Sequence, residues 1–314
     1  MLLVVSLESR LYRVQFLDGL LGGAGCQEVF GAHFEAGGKG IVAARTLRDL
    51  NAKLGLVGIK GGITGQILAD CLERERVPAR FVDSPVPTPM GCRIYSPKGG
   101  GGLIQEYREE AAWIGGTELR LLPQELARFQ PGLRGVLLCG SSPGRGSDFL
   151  LAELCQRLRA DGVPALMLDP GRGLIETLEQ PADWVLMGDA DFSEAARFSE
   201  LSELSLLEEL FSSGCRLVVL GRGPESVRLI TGEGELRLRP PETRDKGGLA
   251  PREAMAAMML LRLSQGWDLQ PSVAYGIAAG TAQTQKSLGG RLRMAEIEGF
   301  YRQIRASRDS PSPL

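Results

Sequence analysis

The residues best suited to do chemistry in this chain are Gly37-Gly38-Lys39-Gly40-Ile41-Val42-Ala43-Ala44-Arg45. Two glycines let a backbone approach a ligand closely, and a following helix offers unpaired N–H groups and a positive dipole end. Lys39 adds a mobile cation, so the segment is a candidate anion site; a tight strand-to-helix turn with a solvated lysine accounts for the same residues. Gly221-Arg222-Gly223 is a partial phosphate-binding turn after a predicted strand, but Ser226 stands where a third glycine would, and a plain turn is the stronger reading. Lys39 is followed by glycine and no glycine lies five residues before Gly38, which disfavours a P-loop. The cysteines, Cys26, Cys71, Cys92, Cys139, Cys155 and Cys215, form no CxxC pair and the sole histidine is His33. That pattern argues against a zinc site and suits reduced thiols in a cytoplasm.

These residues must be positioned by a sizeable fold. The 314 residues carry 36 basic and 38 acidic side chains, a formal net charge of -2, which recommends neither nucleic acid nor an anionic membrane and leaves a small molecule as the default partner. Met1 to Leu7 reads as a buried strand and not as a signal peptide, and no stretch approaches the roughly 20 apolar residues that span a bilayer. Helices are predicted over Ile41–Leu50, Gly65–Arg76, Ser147–Asp161, Leu201–Ser213 and Glu253–Leu263, the last with Pro251 suited to a first turn. Buried strands are predicted over Leu54–Ile59, Gly135–Cys139, Ala165–Leu168, Trp184–Met187 and Arg216–Leu220. This alternation implies an α/β fold, a mostly parallel twisted sheet with helices on both faces. Residues 9–36 and 86–112 break the rhythm and predict a small β-sheet lid, with Gly99–Gly102 as a flexible turn. The expected division is a core of 1–8, 37–85 and 113–306, the lid, and a disordered tail over 307–314.

The order of the motifs resembles the ribokinase-like, phosphofructokinase B family of carbohydrate kinases, and most its 1-phosphofructokinase and tagatose-6-phosphate kinase branch. That branch carries GGKGxNVAR, matched by Gly37 to Arg45 except that Val42 replaces Asn. A GxxGGxTG-like turn is matched at Gly58 to Gly65, a GSLP segment is echoed at Gly140-Ser141-Ser142-Pro143, a DxSG-like strand end at Asp169-Pro170-Gly171, and an AAGTA helix at Ala278 to Ala282. The resemblance implies a ribokinase-like three-layer fold. It places a sugar phosphate between sheet and lid near Lys39, Arg93 and Arg108, and ATP with magnesium toward Gly221, Gly223 and the C-terminal helices. It also implies a homodimer joined through the lids, for which Leu11, Val14, Phe16, Ile94 and Tyr95 are the expected apolar face.

Three motifs depart from the family. Tyr12 stands where an aspartate binds sugar hydroxyls, with Glu8 as a compensating carboxylate if both point to one face of a strand. Met187 to Phe192 occupies the KPNxxE position; Asp189 and Asp191 are oxygen ligands suited to magnesium, although helix capping is the stronger reading. Ala250-Pro251-Arg252-Glu253 falls on GAGD, so that Glu253 is a degenerate base, Pro251 removes an anion-hole N–H, and Arg252 offers a charge in its place. Asp245 is a second candidate base. The reading that follows is a family homologue with a degenerate catalytic site that acts by binding a sugar phosphate, a nucleotide or a protein partner. The alternative is an active ATP-dependent kinase of a phosphorylated ketose.

Overall fold

The structure is a computed structural model that describes residues 1–18, 26–96, 102–110, 115–129, 132–140, 149–223, 225–243, 250–286 and 290–307. Its first half runs β1 (Leu2–Ser6), β2 (Arg10–Phe16), β3 (Gly31–Gly37), α1 (Lys39–Asp49), β4 (Leu54–Gly61), α2 (Gly62–Arg74), β5 (Ala79–Ser84), β6 (Met90–Tyr95) and β7 (Leu103–Arg108). Then follow α3 (Gly116–Leu119), α4 (Leu122–Ala127), β8 (Gly135–Cys139), α5 (Leu150–Ala160), β9 (Ala165–Leu168), α6 (Gly173–Glu176), β10 (Trp184–Gly188), α7 (Asp189–Phe198) and α8 (Glu203–Ser212). The chain closes with β11 (Leu217–Arg222), β12 (Ser226–Thr231), β13 (Gly234–Arg239), α9 (Pro251–Ser264), α10 (Leu269–Thr284), α11 (Met294–Tyr301) and β14 (Arg305–Ser307).

The main sheet has the order β14-β13-β12-β11-β10-β9-β8-β1-β4-β5. Its parallel strands β1, β8 and β10 are buried along their whole length, as strands covered on both faces must be. One face packs Leu3, Val57, Leu138, Leu154, Phe192 and Leu206 against α5, α7 and α8. The other packs Leu2, Val4, Leu137, Ile41, Leu47 and Leu260 against α1 and α9. Helix α9 is apolar nearly all round, with Ala254 to Leu260 buried, because it lies between the sheet and α10. That contact is close: a Cβ on Gly276 would lie 2.6 Å from Met259.

From β1 the chain builds outward through β4 and β5 on one side and through β8 to β11 on the other. The crevice where strand order reverses, beyond the carboxyl ends of β1 and β8, is where open α/β sheets place ligands. A second sheet, of order β3-β2-β6-β7, is built from the two segments that break the α/β rhythm.

Several expectations are corrected here. The antiparallel strands β12 and β13 extend the sheet beyond the predicted strands, and β14 includes Ser307, which had been assigned to a disordered tail. Leu11, Val14, Ile94 and Tyr95 do not form an open apolar face: all are buried within the chain. Leu11 joins the main core, whereas Val14 packs on the opposite face of β2 with Tyr12 and Tyr95, as strand alternation requires. Most of the Gly99–Gly102 turn, Ser141 to Pro143, Asp245 and the rest of the tail lie outside the described residues.

Candidate active site

Two helix N-termini meet at the crevice. Helix α1 begins with Lys39 after β3, and α9 begins with Pro251 at N1 and Glu253 in the first turn. Between them, the lid sheet and the end of β1 lies a cleft of about 220 Å³ lined by Glu8, Arg10, Tyr12, Gly38, Lys39, Lys60, Arg93, Glu106, Arg108 and Glu253. Five cations face three carboxylates, and helix N-termini add positive dipole ends, so the cleft suits an anion.

The glycine pair is required first by the protein's own packing. A Cβ on Gly37 would lie 2.4 Å from the Tyr12 ring. One on Gly38, whose φ is 121°, would lie 2.2 Å from the Glu8 carbonyl oxygen. These glycines seat Lys39 against the end of β1. Gly38 and Lys39 line the cleft; Gly37 does not.

On the lid wall, the Arg93 guanidinium lies 3.7 Å above the centre of the Tyr12 ring, pairs with Glu106 at 3.3 Å and reaches Glu35 at 3.7 Å. Arg108 holds both Glu106 oxygens, at 2.9 and 3.0 Å. The Tyr12 phenol lies beside the same carboxylate. Glu106 is held below the ordinary carboxylate range: burial opposes this, but the bonds from Arg108, the charge of Arg93 and the Tyr12 phenol outweigh it. Burial raises the Tyr12 phenol, which stays protonated. Glu8 and Tyr12 do not share a strand, since β1 ends at Ser6 and β2 starts at Arg10, so the parity argument does not apply; the turn between them still brings both to the cleft.

At the opposite wall, burial raises the pKa of the Glu253 carboxyl above the usual carboxylate range. Its own backbone N–H, Arg252 and Lys39 oppose that shift, and the charge of Asp169 adds to it. Asp169 is 7% exposed and sits at φ 48° after β9. One of its oxygens lies 3.3 Å from Lys39 Nζ, the other 3.0 Å from Arg252 Nη1. The same Nη1 lies 3.1 Å from Asp191 Oδ2.

The proposed nucleotide-side residues do not line this cleft. Gly221 pairs with Val227 in the β11–β12 ladder, and Gly223 follows β11 at φ 58°. Asp189 and Asp191 lie in the first turn of α7 behind Gly188 and do not cap it; Asp189 pairs with Arg228 at 3.0 Å. Sequence reasoning missed Arg10, Lys60 and Glu106, whose motifs carry no signal for the cleft. For Asp169 a signal existed, the DxSG-like strand end, but no role was drawn from it.

Residues 2–293 match the pattern described as pfkB family carbohydrate kinase. The ATP-dependent 6-phosphofructokinase isozyme 2 of Escherichia coli K12 is 24% identical over 258 residues, 80% of this chain and 82% of that protein. The 1-phosphofructokinase of Borreliella burgdorferi is 22% identical over 277 residues, 87% of this chain and 88% of that protein. Among solved structures, phosphofructokinase-2 from Escherichia coli in complex with potassium superposes with a TM-score of 0.82 at 22% identity, covering 96% of this chain and 98% of that one. The ribokinase-like architecture with its second small sheet is thus shared, and the chain belongs to the pfkB family of carbohydrate kinases.

Proposed function

We propose that the protein is an active ATP-dependent kinase of a phosphorylated ketose, such as a fructose or tagatose phosphate, and not the silent binder that its altered motifs first suggest. The observation that carries this reading is Glu253: a carboxylate at the head of α9, opening into the same cleft as the cations of Lys39, Arg10, Arg93 and Arg108. The substrate's own phosphate would sit among those cations. The sugar hydroxyl oxygen then attacks the terminal phosphorus of ATP, the bond from that phosphorus to the departing ADP oxygen breaks, and the hydroxyl proton passes to Glu253. A raised pKa suits this role, because a base works best when its pKa approaches the working pH. Glu8 and Glu106 are the carboxylates within the cleft for sugar hydroxyls.

The division into a core and a lid of 9–36 and 86–112 belongs to the same proposal, with the lid sheet closing the sugar side. We place lid pairing between two copies at the edge strands β3 and β7, where Phe30, just before β3, and Ile104 and Tyr107 of β7 are exposed. A cytoplasmic setting is supported by free thiols at Cys71, Cys139, Cys155 and Cys215. No helix among the described residues is long and apolar enough to cross a membrane.

A second reading, binding without turnover, is favoured by one observation: Pro251 has no N–H to give at the head of α9. The deciding experiment measures ADP release with fructose 6-phosphate, fructose 1-phosphate and tagatose 6-phosphate in turn. Turnover with one of them that Glu253→Gln abolishes supports the kinase. Saturable binding of a sugar phosphate with no ADP release under any condition establishes the silent reading.

A further inference from the structure

The family resemblance implies magnesium beside the nucleotide phosphates, and the oxygen donors to test for it are Asp189 and Asp191, in the first turn of α7, with Asp169 just after β9. They do not fit it. Asp169 is buried, neither of its oxygens makes a well-directed hydrogen bond within the protein, and each faces a resident cation, Lys39 at 3.3 Å and Arg252 at 3.0 Å. Asp191 faces Arg252 at 3.1 Å, and Asp189 faces Arg228 at 3.0 Å. A magnesium ion bound at about 2.0–2.1 Å from any of these oxygens would lie against a fixed positive group. Among the described residues no cluster of three histidine, cysteine or acidic side chains is placed to hold a metal.

We propose that Arg252 is the resident cation of the nucleotide site, taking the place of a carboxylate-held metal ion and giving its remaining guanidinium N–H groups to the polyphosphate. This rests on the kinase reading for the identity of the ligand. The positional argument is independent of it. Arg252 is the second residue of α9, next to Glu253, and its side chain is 43% exposed. It crosses to Asp169, just after β9, and to Asp191, in the first turn of α7, and Nη1 makes the shortest contact to each. The contact to Asp191 is a directed hydrogen bond, and the one to Asp169 holds the group by charge alone. Among the described residues Nη2 and Nε make no hydrogen bond, and a guanidinium presents its donors in a rigid fork matched to phosphate oxygens. The positive end of α9 adds to the same field. Arginine also cannot lose its proton in the working range, so the cation is permanent. Lys39, on the other oxygen of Asp169, ties this cation to the sugar side of the cleft.

The test is calorimetric titration of the full-length protein with ATP, once with excess magnesium and once with a chelator. The wild type is expected to bind ATP with little change between the two. Arg252→Ala is expected to lose about 10- to 100-fold in affinity under chelator, the range for hydrogen bonds to a charged group, and to recover much of it when magnesium is supplied to the freed Asp169 and Asp191. Arg252→Lys, which keeps the charge but not the fork, is expected to fall between. A wild type whose affinity collapses under chelator, or an Arg252→Ala protein that binds metal-free ATP as the wild type does, overturns the proposal. Turnover with strictly magnesium-dependent ATP binding defeats this inference and leaves the kinase reading standing. Metal-independent ATP binding without turnover does the reverse, and no ATP binding defeats both.

Discussion

Replacing Gly38 by alanine tests the site's construction most directly. Gly38 sits at φ 121°, ψ 153°, a region essentially reserved for glycine, where another residue costs about 1–3 kcal/mol. The added Cβ would also lie 2.2 Å from the Glu8 carbonyl oxygen, and backbone cannot rotate away as a side chain can. To reach ordinary contact, either the Glu8–Ser9 segment or the head of α1 must move by about 1 Å, a displacement that costs on the order of a hundredfold in rate when it misplaces a binding group. Both moving parts line the cleft, one through Glu8 and the other through Lys39. Gly38→Ala is therefore expected to lose about 2–4 kcal/mol of stability and to raise the KM for sugar phosphate well above any change in the KM for ATP. Thermal unfolding and steady-state kinetics measure the two effects. Gly232→Ala is the control: nothing lies within 4 Å of its Cβ position, so its stability should stay within about 0.5 kcal/mol of wild type. A Gly38→Ala protein with unchanged melting temperature and unchanged KM would refute the reasoning.

Further expectations concern other parts of the molecule. Glu253→Gln should lower kcat about 10²- to 10⁴-fold yet raise the melting temperature at neutral pH. Because the folded-state pKa of Glu253 is raised, the native protein holds, between the unfolded and folded pKa values, a proton that the unfolded chain has already lost. Stability therefore falls as pH rises through the folded pKa, and the advantage of Gln should vanish in acid; an equal gain at all pH values would exclude this cause. Arg45 is paired with both Glu75 oxygens at 2.5 and 2.6 Å and with Glu35 at 3.1 Å, so Arg45→Ala should cost about 3–5 kcal/mol in denaturant unfolding. Combining Arg45→Met with Glu75→Leu should recover a large part of that loss. For the proposed lid pairing, light scattering should show a dimer that Phe30→Asp with Ile104→Asp dissociates; a wild-type monomer at tens of micromolar, or a dimer indifferent to both changes, counts against it.

The core was legible where one physical requirement dominated. Runs such as Leu2 to Ser6 and Trp184 to Gly188 are buried on both faces, and that leaves a continuous apolar signature in the sequence. Strands β12 and β13 were not legible, because their outer positions are polar and their pairing depends on the neighbouring β11 and not on their own composition. In the site, Lys39 stood out through its glycines and Glu253 through its place at a helix start. Arg10 and Glu106 left no such mark, since each reaches the cleft only through the way the lid sheet lies against the core. The apolar lid face was misread for a related reason: hydrophobicity alone does not say whether a strand's two faces meet the same chain or another.

The chain passes between the two sheets at Leu7 to Ser9 and again at Gly38, and both junctions line the cleft. Lid and substrate site are consequently not separable modules. A lid transplanted from a relative, with its boundaries cut at the ends of β2 and β3, would carry Arg10, Tyr12 and Gly37 away and leave Glu8, Gly38 and Lys39 behind. Swapping specificity by exchanging lids would therefore require grafting residues from both sides of each junction together: a segment from the end of β1 into α1, and with it β6 and β7, which complete the lid sheet.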